Sequence, residues 1–399
     1  MLYMLFERTE LQVKPQSQRR KKSNIRPKNS RLLSAVMPLL LAVLFFGSLH
    51  CPEPVSKLAL VSASFVLPQG SVQVLKNDLQ TASKTPAADE TAEILAPITP
   101  QAEPKPTANG SITDTPQDIL EMQRAAEALT ANAERGGTIV EKQYDSANAT
   151  AVFKNITVRN TTPSHGIDIQ SALEKPVTLS VENKADPTVL IFHTHTTECY
   201  EMLNLGWYTA DYVTRSEDPA RNMVRVGTAL CEELEKMGIG VIHDTQIHDA
   251  KYTGAYDRSR ASIEKIMQEN PSIKVVIDVH RDAIKQSDGT RVKPTATVNG
   301  KKAAQIMIIA GCEDGKVTSF PSWEENLTFA LRLQEIAETE YPGLMRPILF
   351  SARKYNMDVT PCSVLLEMGS DSNTLEEAEY SGRLIGIALG KLVSEYEKK

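Results

Sequence analysis

Apolar runs and amphipathic stretches alternate over the C-terminal half of the chain. TVLIFH (188–193), IGVIH (239–243), KVVIDVH (274–280) and SVLLEMG (363–369) are short and mostly apolar at successive positions. That is the pattern of strands covered on both faces. Between them, Met223, Val226, Leu230, Leu234 and Met237 recur at helical spacing over Arg221 to Lys236, with Gly238 closing the helix. Asp257 to Glu269 reads as a helix stopped by Pro271, and Trp323 to Glu340 as one ended by Pro342-Gly343. Thr374 to Lys398 is a final amphipathic helix. Within TATVNGKKAAQIMIIAG, Asn299-Gly300 separates two β-like runs and predicts a hairpin. Strand–helix alternation of this kind predicts an α/β fold over 187–399: a mostly parallel twisted sheet with helices on both faces.

The N-terminal part follows other rules. Residues 1–31 form a basic tail, with Arg19, Arg20, Lys21, Lys22, Arg26, Lys28 and Arg31 crowded together. LLSAVMPLLLAVLFFGSL (32–49) follows without a charge, and a transmembrane anchor over 32–50 is expected, with the basic side cytoplasmic. A cleaved signal peptide ending near Ser62-Ala63 is the competing reading. Either one places the remainder outside the cytoplasm. Residues 51–118 read as a Pro/Thr/Ala-rich linker, too poor in apolar side chains to offset ordering entropy. Residues 119–186 are expected to hold one short helix and a small β-rich segment.

Composition narrows the class. Hydrophobic residues make up 41% and charged ones 24%, ordinary globular values, and the net charge of −6 argues against nucleic acid as a partner. Five scattered cysteines without a C-x-x-C pair give neither a disulfide framework nor a cysteine metal site.

Chemistry concentrates at three strand ends, where an open parallel sheet gathers its ligands. HTHTTE carries His193, His195 and Glu198, DVHRD carries Asp278, His280, Arg281 and Asp282, and LLEMG carries Glu367. The chain has only seven histidines, so three at two strand ends is informative. Two imidazoles from different strands plus a carboxylate form a donor set suited to catalytic zinc, with a further carboxylate as proton acceptor. Taken singly, a histidine at a strand end is more often a loop hydrogen-bonder, whereas Glu367 among Leu365, Leu366 and Met368 is hard to explain blandly. Asp278 suits the orientation of a ligand imidazole, and Arg281 suits either a carboxylate pair or a grip on substrate. His243, His248 and His165 lack such neighbours and read as structural or surface residues.

HTHTTE, DVHRD and LLEMGSDSN, in this order, closely resemble the stage II sporulation protein P family, as do GAYDRSRASIEKI and NGKKAAQIMIIAG. That family is similar to the zinc-dependent amidase_3 group of cell-wall hydrolases. The resemblance implies cleavage of the N-acetylmuramoyl-L-alanine amide of peptidoglycan during sporulation engulfment, with endopeptidase activity also attributed to the family. It implies stage II sporulation proteins D and M as partners, and a single-pass membrane location with the catalytic domain between forespore and mother cell. Carried over residue by residue, it places His195 on zinc with His193 as rival, His280 as second ligand and Glu367 as the catalytic carboxylate. For the third ligand, SEDPARNMVRV offers no clean equivalent; Glu198 is the choice, with Glu217 or Asn222 behind it. Arg281 is expected to stabilise the oxyanion or bind a peptide carboxylate. The rival readings are a non-catalytic wall-binding scaffold and a different zinc hydrolase, a carboxypeptidase or deacetylase.

Overall fold

The computed structural model describes residues 111–398 except 316. The expected basic tail, the span at 32–50 and most of the linker lie outside these. The membrane placement is not upheld: among the described residues no helix is long and apolar enough to cross a membrane.

The described chain opens with helix α1 (Gln117–Thr130), strands β1 (Arg135–Lys142), β2 (Ala151–Phe153) and β3 (Ile156–Asn160), and the short helix α2 (Ile169–Glu174). Strands β4 (Pro187–Phe192) and β5 (Trp207–Thr209) precede α3 (Met223–Lys236), β6 (Gly240–His243) and α4 (Ala255–Glu269). There follow β7 (Val275–Asp282), β8 (Arg291–Val298), β9 (Lys301–Ala304) and β10 (Ile306–Gly311). Helix α5 (Trp323–Glu340), β11 (Ile348–Ser351), β12 (Cys362–Ser370) and α6 (Leu375–Glu395) complete it.

An eight-stranded sheet runs in the order β2-β3-β11-β10-β12-β7-β4-β6. Its pairs are parallel except β2–β3 and β10–β12. The central strands are buried on both sides, which is why they read as unbroken apolar runs. Val189, Ile191, Val275, Ile277, Val364 and Leu366 face the main core with α3, α5 and α6. Leu190, Phe192 and Val276 point the opposite way, onto Ile263 of α4. This second face is where the candidate chemistry lies.

Two expectations need correction. Residues 119–186 are not a separate small segment. Strand β3 pairs with β11 at the edge of the large sheet, and β1 pairs with β8 and β5 in a second, four-stranded mixed sheet. The last residues of the expected linker are also ordered. Arg383 of α6 donates to the carbonyls of Ile112 (2.9 Å) and Asp114 (3.0 Å), and Lys301 donates to Thr113 O at 3.0 Å. The hairpin at Asn299-Gly300 is present, with both residues at positive φ (49° and 78°), as a tight two-residue turn requires.

Helices α3 and α6 lie close because Gly382, Gly386 and Gly390 recur every fourth residue along α6. A Cβ at Gly386 would stand 2.7 Å from Leu230 O, so the stripe is needed for the approach. Asn222 is the N-cap of α3: its side chain accepts from Val224 N at 3.0 Å and donates to Ser216 O at 3.0 Å.

Glu201, where the chain bridges to Thr374, yields a pH prediction. Burial raises its carboxyl to about 8; Arg291 pulls it back and Asp371 adds to the rise. The folded state therefore holds a proton that the unfolded chain releases near its ordinary value of 4.5. The stabilisation is complete below that value and lost as pH rises through about 8. Glu201→Gln should flatten this loss, gaining roughly 2–4 kcal/mol on the wild type between pH 5 and pH 8 in urea unfolding. Equal pH slopes for the two proteins would mean that Glu201 is ionised against Arg291.

Candidate active site

Beyond the end of β4 the chain turns through His193, Thr194 and His195, and the two histidines part company. His193 is fully buried. Its Nδ1 lies 2.9 Å from Val279 O and its Nε2 lies 2.8 Å from His243 Nε2. Because the carbonyl can only accept, Nδ1 carries the proton, Nε2 accepts, and His243 donates. Burial drives both rings down, to about 4 and about 3, so both are neutral. Gly227 of α3 makes room for the pair, since a Cβ there would stand 2.6 Å from both Nε2 atoms. His193 thus has no nitrogen left for a metal, and the structure does not bring it into the cluster below.

His195 lies on the other side. Its ring stacks on Tyr252 (4.8 Å between centroids, 4° between planes) and meets His280 edge-on at 5.3 Å. Its Nδ1 is buried without a hydrogen bond, 3.8 Å from Asp249 Oδ2. Burial, and then the charge of His280, lower it to about 4. Asp249 fixes the turn after it by accepting from Thr197 N (3.0 Å) and Thr197 Oγ1 (2.7 Å), and it also pairs with Arg215.

His280 projects from β7 on the α4 face. Its Nε2 stands 2.7 Å from Asp278 Oδ1, an ionic contact off the line of a good hydrogen bond. Asp278 is itself held by Thr194 N (2.9 Å) and Thr194 Oγ1 (2.8 Å). Burial alone would depress His280, but Asp278 overcomes it and lifts the ring to about 9. Its Nδ1 faces Glu198 Oε2 at 3.8 Å. Burial opposes the charge on Glu198, yet Arg281, His280 and their neighbours hold it below the ordinary carboxylate range.

Glu367 on β12 is in register with His280 on β7. The residue is partly exposed, but Oε2 is shut away with no hydrogen-bond partner. Burial pushes the carboxyl up to about 8, Asp282 adds to the rise, and His280 opposes it. Asp282 is in turn paired with Arg346 at 3.1 Å.

The structure therefore brings His195, Glu198, His280 and Glu367 together. It leaves out Glu217, which is exposed, and Asn222, which caps α3. Arg281 also departs from expectation. Its Nε donates to Cys199 O (3.0 Å) and its Nη2 to Thr214 O (2.7 Å), and Nη1 lies 3.7 Å from Glu198 Oε1. Those donors clamp the 198–214 loop onto β7 rather than pointing towards a substrate. Sequence reasoning missed Asp249 and Arg215, which carry no motif, and Tyr252 and Tyr256. Tyr256 lies within GAYDRSR, a phrase that had marked the family but no role.

Among the described residues no group of three or more His, Cys, Asp or Glu side chains is set as a ready metal cage. The donor set nevertheless suits zinc. Glu198 and His280 face each other at a spacing one ion can bridge, and the buried Nδ1 of His195 makes no hydrogen bond.

The sequence profile of the family described as stage II sporulation protein P matches residues 75–389. Stage II sporulation protein P of Bacillus subtilis (strain 168) is 29% identical over 247 residues, covering 57% of this chain. The matched region spans 58% of that relative's length. Among solved structures, the CwlD amidase from Clostridioides difficile, in complex with the GerS lipoprotein, has a TM-score of 0.33 and 16% identity, covering 52% of this chain and 99% of that one. The N-acetylmuramyl-L-alanine amidase Ami1 from Mycobacterium smegmatis has a TM-score of 0.31 and 11% identity, covering 54% and 100%. Likenesses this slight carry no argument about chemistry.

Proposed function

The chain belongs to the stage II sporulation protein P family, and we propose that it is a peptidoglycan hydrolase of sporulation that cleaves the N-acetylmuramoyl-L-alanine amide. The observation that supports this best is Glu367: a carboxyl raised to about 8 by burial, in register with His280, whose own ring lies 3.8 Å from Glu198 and edge-on to His195. An acid that changes charge near neutral pH can both take and return a proton, as amide hydrolysis demands.

Zinc is the cofactor we propose, held by His195, Glu198 and His280, where it would supply Lewis acidity to the scissile carbonyl. The protein's own groups do the rest. Asp278, held in place by Thr194, keeps its carboxylate 2.7 Å from His280 Nε2 and so favours one orientation of the imidazole. Glu367 accepts a proton from the attacking water as the new C–O bond forms. It then delivers that proton to the departing nitrogen as the C–N bond breaks, freeing the stem peptide with an amino terminus. Stage II sporulation proteins D and M are the partners that the family resemblance suggests.

The test is digestion of purified sacculi by the full chain, with mass spectrometry of the products and metal analysis of the protein. We expect intact stem peptides with free L-alanine amines, equimolar zinc, and activity lost to a chelator and restored by zinc. Released acetate would replace this reading with a deacetylase, and released terminal D-alanine with a carboxypeptidase.

A further inference from the structure

Tyr256 stands in the first turn of α4, against the face of the sheet that carries His280 and Glu367. Its ring lies nearly parallel to that of His280 (6.5 Å, 14°) and edge-on to that of His195 (5.7 Å, 81°). The residue is only partly covered, and its hydroxyl hydrogen-bonds no other described residue. A phenol placed against two imidazoles ordinarily finds a partner when buried; this one keeps its donor available to whatever enters the cleft.

The surroundings hold the ring in place. Tyr355 stacks on it at 5.1 Å and 14°. To do so the chain takes left-handed backbone at two successive non-glycine residues, Tyr355 (φ 42°) and Asn356 (φ 59°). Such a conformation is unfavourable and persists only where its surroundings fix it. Here Asn356 Nδ2 donates to Tyr256 O (3.2 Å) and to Ser259 Oγ (3.1 Å). Ser259 Oγ lies 2.9 Å from Thr194 Oγ1, the hydroxyl that donates to Asp278. One network therefore holds both the backbone at Tyr256 and the carboxylate beside His280.

We propose that the Tyr256 hydroxyl donates a hydrogen bond to the carbonyl oxygen of the scissile amide and steadies the negative charge that gathers there as water adds. The inference rests on the hydrolase reading above and assigns the oxyanion role that the clamped Arg281 cannot fill. A phenol suits the task because burial, and then the charges of Asp278, Glu367 and Glu198, keep it protonated at any pH of interest. The donor is held beforehand by its neighbours, and a hydrogen-bond donor set in place before the charge develops is the kind that contributes most.

The experiment compares wild type, Tyr256→Phe and Tyr355→Leu as full chains. It reads kcat and KM on a soluble muropeptide, zinc content, and affinity for a phosphinate analogue of the tetrahedral intermediate. Wild-type cleavage of the amide is the control for the hydrolase reading; without it, that reading fails first. Given that control, Tyr256→Phe should lower kcat by roughly 100-fold or more with KM and zinc content little changed. It should weaken the phosphinate by a similar factor. Tyr355→Leu, which frees the ring but keeps the hydroxyl, should lower kcat by a smaller factor. A Tyr256→Phe enzyme with wild-type kcat, or one altered only in KM or zinc content, would overturn the assignment.

Discussion

Replacing Glu367 with Gln is expected to lower the proposed amide hydrolysis by about 1000-fold while the protein folds normally and its zinc content matches that of the wild type. The two side chains have the same shape, and Oε2 makes no hydrogen bond, so the substitution breaks none there. Burial already disfavours the charged form, which pushes the carboxyl to about 8, so a neutral amide is well tolerated in that recess. What the amide cannot do is accept a proton from water and return it to the leaving nitrogen. Glu367→Asp gives an independent check, because it keeps the acid but draws it back by one methylene. A displacement of about 1 Å is enough to cost about 100-fold in rate. The measurement is turnover on purified sacculi together with circular dichroism and zinc content. Wild-type turnover by Glu367→Gln would remove Glu367 from the chemistry and leave the raised carboxyl as a structural feature.

The sheet-forming runs and long helices were legible in the sequence because each carries its own local signal. TVLIFH and SVLLEMG are apolar on both alternations because both faces of β4 and β12 are covered. Trp323–Glu340 is bounded as its periodicity and its Pro342-Gly343 stop imply. The second sheet was not legible. It joins Ile139 to Arg291 and Gly137 to Tyr208, and nothing local in an eight-residue strand with only Ile139 buried names so distant a partner. At the candidate site the residue types were visible but not their directions. Asn222 precedes an apolar-periodic helix, the position of an N-cap, so its side chain was already claimed by Val224 N. His193 and His195 look equivalent in HTHTT, and only the carbonyl of Val279 and the ring of His243 separate them. Adjacent residues on a strand point to opposite faces, so His280 and Arg281 were never equivalent candidates for one cleft.

That alternation gives Arg281 a stability role, and Arg281→Ala is expected to destabilise the protein by roughly 3–5 kcal/mol. The guanidinium is buried and satisfies the carbonyls of Cys199 and Thr214 at 3.0 and 2.7 Å while facing the buried carboxylate of Glu198 at 3.7 Å. Alanine would leave Glu198 with one fewer compensating charge and the Cys199 carbonyl without its guanidinium donor, while Thr214 O would keep only the amide of Cys199 at 3.2 Å. Arg281→Lys keeps the charge but loses the planar fork that reaches both carbonyls, so its loss should be intermediate. Hydrogen exchange should accelerate first between residues 198 and 214, the segment the side chain ties to β7. The proposed hydrolysis should fall in both variants because Glu198 is displaced, but only alongside the loss of stability. Arg281→Ala with wild-type unfolding and no activity would return Arg281 to the reacting atoms and leave the clamp without energetic weight.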